Sequence, residues 1–171
     1  MTKTEADALH GLLAIDKPLG ISSMTAVSIV RRRAGGTRTG HAGTLDPLAT
    51  GVLPIAVGEA TKLAGRMLDS DKVYDFTIRF GEQTSTLDAE GEVVATSDVR
   101  PTLPQVEAVL ARFTGPIEQV PPAFSALKID GKRAYDLARA GVAVDLKSRK
   151  VVIDRLELLG RPDAEHADFV V

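Results

Sequence analysis

Between Val73 and Phe80 the chain reads VYDFTIRF, in which Tyr74, Phe76, Ile78 and Phe80 recur at every second position. Only an extended strand puts such residues on one face, because strand side chains alternate sides whereas those of a helix realign about every 3.6 residues. The alternation predicts a strand over 73–80 with Tyr74 on its buried face.

A strand with one apolar face needs partners and cover, and the remaining segments supply candidates. GLLAID (11–16) reads as a short buried strand, stopped by KPLG, where Pro18 and Gly20 impose a turn. Ser22 or Ser23 can cap a helix along which Met24, Val27 and Val30 share one side. Arg31, Arg32 and Arg33 close its last turn, where cations suit the negative end of the helix dipole, and Gly35-Gly36 ends it. A loop at 38–50 leads to the apolar run GVLPIAV (51–57) and a helix from about Glu59 to Leu68.

Further along, LDAEGEVVAT (87–96) reads as a Gly-centred turn into a strand. PTLPQVEAVLARFTG (101–115) reads as a helix with Thr102 as cap, Pro104 in the first turn and Gly115 after the end. Residues 116–141 combine Pro-Pro, an Asp-Gly turn and a short helix closed by Gly141, a protruding excursion. A strand is expected at about 150–159. The chain stops at HADFVV, inside what reads as another strand; a domain seldom ends there, so a truncation is expected.

With 171 residues, 44% of them apolar, the chain suits one domain with its own core. It has no cysteine, and His10, His41 and His166 are scattered, so neither disulfides nor a structural metal is expected. No run approaches the roughly 18 apolar residues of a membrane span, and MTKTEADALHG lacks an apolar signal core. A reducing, cytoplasmic location is expected. The net charge of −2 conceals an asymmetry: residues 1–66 carry eight Lys/Arg against five Asp/Glu, and the rest thirteen against eighteen. A polyanion should meet the N-terminal part, where Arg31, Arg32, Arg33 and Arg38 cluster, although a solvated helix end explains the same cluster.

Directly after that cluster comes GHAGTLDPLATGVL (40–53). Pro47 confines Asp46 to extended backbone on a bend, and Gly40, Gly43 and Gly51 permit close approach of another chain or a ligand. One reading is an Asx-type turn in which Asp46 bonds the amides after it. The other is a carboxylate acting as nucleophile, general base or electrostatic partner, with His41 and Thr44 beside it. Position alone leaves both open.

LLAIDKPLGISS, GHAGTLDPLATGVLPIAVGEATK, DKVYDFTIRFGEQTSTLDAEG and PPAFSALKIDGKRAYDLARAG together resemble successive signature segments of the TruB-type tRNA pseudouridine-55 synthases, in order and at natural spacing over about residues 11–171. The resemblance implies an α+β fold, a mixed and mainly antiparallel sheet flanked by helices. It also implies an incomplete catalytic domain over 1–171, with a mobile RNA-clamping insertion at about 121–144. Later strands, among them a segment whose Arg pairs with the catalytic Asp, and a C-terminal RNA-binding domain would lie beyond Val171, leaving such a fragment impaired.

The implied activity is isomerisation of one T-loop uridine of tRNA to pseudouridine, by base flipping and without cofactor or metal. Asp46 matches the catalytic aspartate, His41 the histidine that enters the RNA stack, and Tyr74 the tyrosine that stacks on the flipped uracil. Lys17 in DKP-x-G, Lys62 in GEATK and Arg38 are supporting RNA-site candidates. The implied partner is the T-arm of tRNA, and the complete protein is expected to be a monomer. A tRNA-binding or folding chaperone and a guide-RNA-dependent pseudouridine synthase are the competing readings.

Overall fold

The structure is a computed structural model that describes residues 9–68, 70–120, 128–129, 132–133 and 147–171. Its contacts divide the chain into two compact units, Met1–Lys72 and Val73–Val171. Met1–Lys72 carries nine Lys/Arg against seven Asp/Glu, and Val73–Val171 twelve against sixteen, so the two units differ in the sign of their charge. Every described strand pairing is antiparallel.

The first unit is built on a three-stranded sheet. Strands β1 (Gly11–Lys17), β2 (Thr39–His41) and β3 (Gly51–Val57) lie in the order β1-β3-β2, so β3 is central. Helix α1 (Ser23–Arg33) covers one face. Its Ala26 and Val27 pack on Leu53 and Ile55 of β3, with Ile15, Ile21, Val30 and Leu45 around them. Burying Leu53 and Ile55 completely contributes roughly 1.5–3 kcal/mol for each side chain. Pro54 is tolerated in this central strand because its carbonyl points to the β2 side, where it accepts Ala42 N–H at 2.9 Å just beyond the end of β2. The missing N–H points the same way, past the last ladder pair.

Several expectations need correction here. β1 is a strand but not a buried one: Leu12 and Leu13 are exposed, because β1 pairs only with β3 among the described residues and lies at the sheet edge. Met24 is 60% exposed. A row of every third helical residue drifts by about 60° per step, and the buried stripe follows Ser23, Ala26 and Val27 instead. The expected loop at 38–50 opens with the short strand β2. The helix from Glu59 splits into a 3-10 helix, Gly58–Leu63, in which Thr61 Oγ1 donates to the Gly58 carbonyl three residues back at 2.8 Å, and α2 (Ala64–Leu68).

In the second unit, β4 (Asp75–Arg79), β11 (Glu157–Gly160) and β12 (His166–Val170) form a sheet in the order β11-β12-β4. Helix α3 (Leu103–Leu110) contributes Val106 to a core with Ala167 and Phe169, flanked by Phe80, Leu110, Leu156 and Leu158. The α3 N-terminus is as expected: Thr102 N–H donates to Gln105 Oε1 at 2.8 Å in a capping box, with Pro104 in the first turn and Gly115 beyond the end at φ +82°. β5 (Glu82–Thr84) pairs with β6 (Val93–Thr96), β7 (Gly115–Gln119) with β10 (Arg149–Ile153), and β8 (Lys128–Ile129) with β9 (Lys132–Arg133).

The alternating segment is a strand, yet Tyr74, Phe76 and Ile78 are 45%, 38% and 40% exposed. Period two identifies which residues share a face, and cover is a separate matter. β4 is the outer strand, and Phe76 finds its contact by stacking on Phe169 with ring centroids 5.3 Å apart. The strand expected at 150–159 is two strands with different partners. Pro116–Gln119, expected to open the excursion, belong instead to β7; the expected short helix, and most of the 121–144 insertion, lie outside the described residues. Among the described residues no helix is long and apolar enough to cross a membrane.

Candidate active site

Asp46 opens a tight turn in which Ala49 N–H donates to the Asp46 carbonyl at 3.0 Å, with Pro47 in the position that its fixed φ favours. The bend is gripped on both sides. Before it, the buried Ser23 hydroxyl both donates to the Leu45 carbonyl and accepts the Leu45 N–H, each at 2.9 Å. After it, Gly20 N–H donates to the Pro47 carbonyl at 2.8 Å. Gly20 makes that bond from the KPLG turn at φ +84°, a backbone conformation that favours glycine.

Lys17 holds the KPLG turn in place. Its side chain is completely buried, and the ammonium donates to the Ile21 carbonyl at 2.8 Å and the Pro18 carbonyl at 3.1 Å. A buried ammonium is tolerated only with such partners. The structure thus ties Lys17 to the Asp46 bend through backbone, with its charge directed at its own turn.

The Asp46 side chain, by contrast, is exposed and has no hydrogen bond or ion pair among the described residues. The Asx-type reading therefore fails: the amide that closes the turn bonds the Asp46 backbone carbonyl, and the carboxylate stays available. A solvated carboxylate on a fixed backbone can attack an electrophilic carbon or take up a proton.

His41 ends β2 opposite Ile55, and its ring Nδ1 is buried without a hydrogen-bond partner among the described residues. Arg38, exposed, precedes β2, and its carbonyl accepts Gly58 N–H at 2.7 Å. Arg31, Arg32 and Arg33 are also exposed, and no ion pair engages them among the described residues. Lys62 is paired with Glu59 on the surface, and this bond, with Lys62's charge, holds the Glu59 carboxyl below the usual range. No hydrogen bond links Lys62 to the Asp46 bend among the described residues. Tyr74 belongs to the second unit, where its N–H and carbonyl pair with those of Val171, both at 2.9 Å, and the residue is about half exposed.

Two contributors escaped the sequence reading. Ser23 was visible only as an alternative cap and Gly20 only as a turn former; one signal for Ser23 was the tandem serine, since a helix needs one cap. An apolar cavity of 370 Å³ is lined by Leu9, Leu13, Ile15, Val30 and Val57, among others; of the candidate residues only Arg33 reaches it, and Asp46, His41, Tyr74, Lys17, Lys62 and Arg38 do not.

The model of the TruB family of pseudouridylate synthases (N-terminal domain) matches residues 31–171. A tRNA pseudouridine synthase B of Caulobacter vibrioides is 57% identical over 169 residues, which is 99% of this chain and 54% of that protein. The Rhodospirillum rubrum protein of the same name is 54% identical over 170 residues, covering 98% of this chain and 55% of that protein. The chain spans about half the length of these curated relatives. A solved Cbf5-Nop10-Gar1 complex has a chain of the same fold, with TM-score 0.69 and 24% identity over 96% of this chain and 39% of that one. With a family model matching most of its length and relatives more than half identical along nearly all of it, the chain belongs to the TruB family of pseudouridylate synthases.

Proposed function

We propose that the natural protein is a cytoplasmic, monomeric tRNA pseudouridine synthase that isomerises uridine 55 in the T-loop, with Asp46 as the acting carboxylate. The observation that carries this reading is the Asp46 bend: its backbone is held on both sides while its carboxylate is unengaged among the described residues. The tRNA pseudouridine synthases B that resemble it so closely support the choice of substrate.

In the reaction the N1–C1′ glycosidic bond breaks, C1′ joins uracil C5, the C5 proton goes to solvent, and the freed N1 takes up a proton in its place. Asp46 acts at ribose C1′, at uracil C6, or as the base of a glycal-forming elimination; all three need an ionised carboxylate and a base out of its stack. Extruding the base costs a few kcal/mol, roughly the loss of its stacking and pairing. His41 would fill the vacated position and Tyr74 would stack on the extruded uracil, since a flat ring suits any base face. Arg31, Arg32, Arg33 and Arg38 would contact phosphates, and Lys17 would act only through the turn it holds.

The direct test is incubation of bare tRNA with the full natural chain, without guide RNA. Pseudouridine at position 55 is expected. Unchanged uridine would overturn the reading. Conversion only with a guide RNA would favour the guide-dependent class, and tight tRNA binding without product would favour a chaperone.

A further inference from the structure

The tandem Ser22-Ser23 splits into two roles. Ser22 is the helix cap, its hydroxyl oxygen accepting Thr25 N–H at 3.1 Å. Ser23, 3% exposed, spends its hydroxyl on Leu45, 22 residues away, through both the N–H and the carbonyl. Those two groups have no strand partner, and left unpaired in a buried place they would carry a desolvation penalty. A single side-chain oxygen takes the place of a ladder partner.

The consequence falls on the next residue. With both polar groups of Leu45 fixed, and its side chain packed against the α1 core, the peptide plane joining Leu45 to Asp46 is fixed as well. That plane sets the direction in which the Asp46 side chain leaves the backbone. Gly20 and Ala49 hold the far side through backbone bonds alone. Ser23 is the one side chain among the described residues that hydrogen-bonds the backbone of 45–47.

We propose that Ser23 is a positioning residue for the isomerisation: its hydroxyl aims the Asp46 carboxylate and so governs the chemical step rather than RNA binding. The inference rests on the reading of Asp46 as the acting carboxylate. Misplacing a reacting group by about 1 Å can cost about a hundredfold in rate. A loosened Leu45–Asp46 plane permits a displacement of that order.

The test uses the full natural chain and its Ser23→Ala, Ser23→Thr and Asp46→Asn variants. It measures single-turnover release of the C5 hydrogen from labelled tRNA at saturating enzyme, tRNA affinity, and amide exchange at Leu45. For Ser23→Ala the saturating rate constant is expected to fall roughly ten- to a hundredfold. Affinity should stay within about threefold, below 1 kcal/mol, and Leu45 exchange should accelerate. Ser23→Thr, which restores a hydroxyl, should recover both the rate and the protection. A merely structural serine would lower the amount of competent enzyme and leave its saturating rate constant unchanged.

Should the threonine methyl prevent folding, the alanine variant with the Leu45 exchange remains decisive. A wild-type rate in Ser23→Ala beside an inactive Asp46→Asn would overturn the role of Ser23 and leave Asp46 in place. A rate loss without any change at Leu45 would also overturn it. Full turnover by Asp46→Asn would overturn both assignments.

Discussion

Asp46 and Asp163 both sit on bends, and the two bends use their carboxylates in opposite ways. Asp163 is engaged by its own turn: its Oδ1 accepts Glu165 N–H at 2.7 Å and His166 N–H at 2.8 Å, and both oxygens lie 2.9 Å from His166 Nδ1. The turn leading into β12 is closed by the side chain at its start, as in an Asx turn. At Asp46 the same kind of closure is made by the backbone carbonyl, while Ser23 and Gly20 hold the residues on either side. A carboxylate that stabilises its own turn is not available for chemistry. One held by its neighbours is, and the cost of holding it appears as buried Ser23 and buried Lys17.

On stability, the largest effect that would sharpen this contrast is expected at Lys17. Lys17→Met keeps the length of the side chain and removes the donor, leaving the Pro18 and Ile21 carbonyls without their partner. A loss of about 1–3 kcal/mol is expected in chemical unfolding, the range for an unpaired buried polar group. An unchanged unfolding midpoint would mean that the turn behind Asp46 stands without the ammonium.

The next effect is reciprocal. Asp163→Ala should lower the melting temperature, whereas Asp46→Ala should change stability by no more than about 0.5 kcal/mol, as for a surface residue without partners. Equal losses in thermal unfolding would erase the distinction between the two bends.

The pH dependence of the Asp163 turn is smaller. The His166 ring hydrogen bond, with the backbone N–H groups of Glu165 and His166, holds the Asp163 carboxyl below its usual range. Being depressed in the folded state, its contribution is complete above the ordinary carboxylate range, about pH 4, and is lost as pH falls through the lower folded value. NMR titration of the Glu165 and His166 amides should show midpoints below about 4. A midpoint at or above the ordinary value would mean that the ionised form gains nothing from the turn.

The smallest effect concerns the arginines upstream of Asp46. If Arg32 and Arg33 each meet a phosphate, Arg32→Ala with Arg33→Ala should reduce the slope of log affinity against log salt by about 0.7–0.9 for each lost contact. An unchanged slope returns them to a solvated helix end.

What the sequence made legible follows from the range of the forces involved. The Asp46 bend was readable because Pro47 acts on its immediate neighbour, and the α3 start because Thr102 and Gln105 lie within one turn. The TruB resemblance, read from segments at natural spacing, agrees with the family match over 31–171. The tandem serine marks Ser23 as a spare hydroxyl, but its pairing with Leu45 was not readable, because that partner lies 22 residues away. The exposure of Tyr74 and Phe76 was not readable either: alternation shows that a face is apolar, and only the sheet order shows that β4 is an outer strand. The break between β10 and β11 is of the same kind, since each half is defined by a partner elsewhere in the chain.

On the proposed reading, the Asp46 carboxylate is left free by its bend because the reaction needs it. The most direct test is single-turnover pseudouridine formation by Asp46→Asn in the full natural chain, measured alongside tRNA affinity. Product formation is expected to be abolished while affinity stays within about tenfold, or about 1.4 kcal/mol. Retained turnover in Asp46→Asn would contradict that reading.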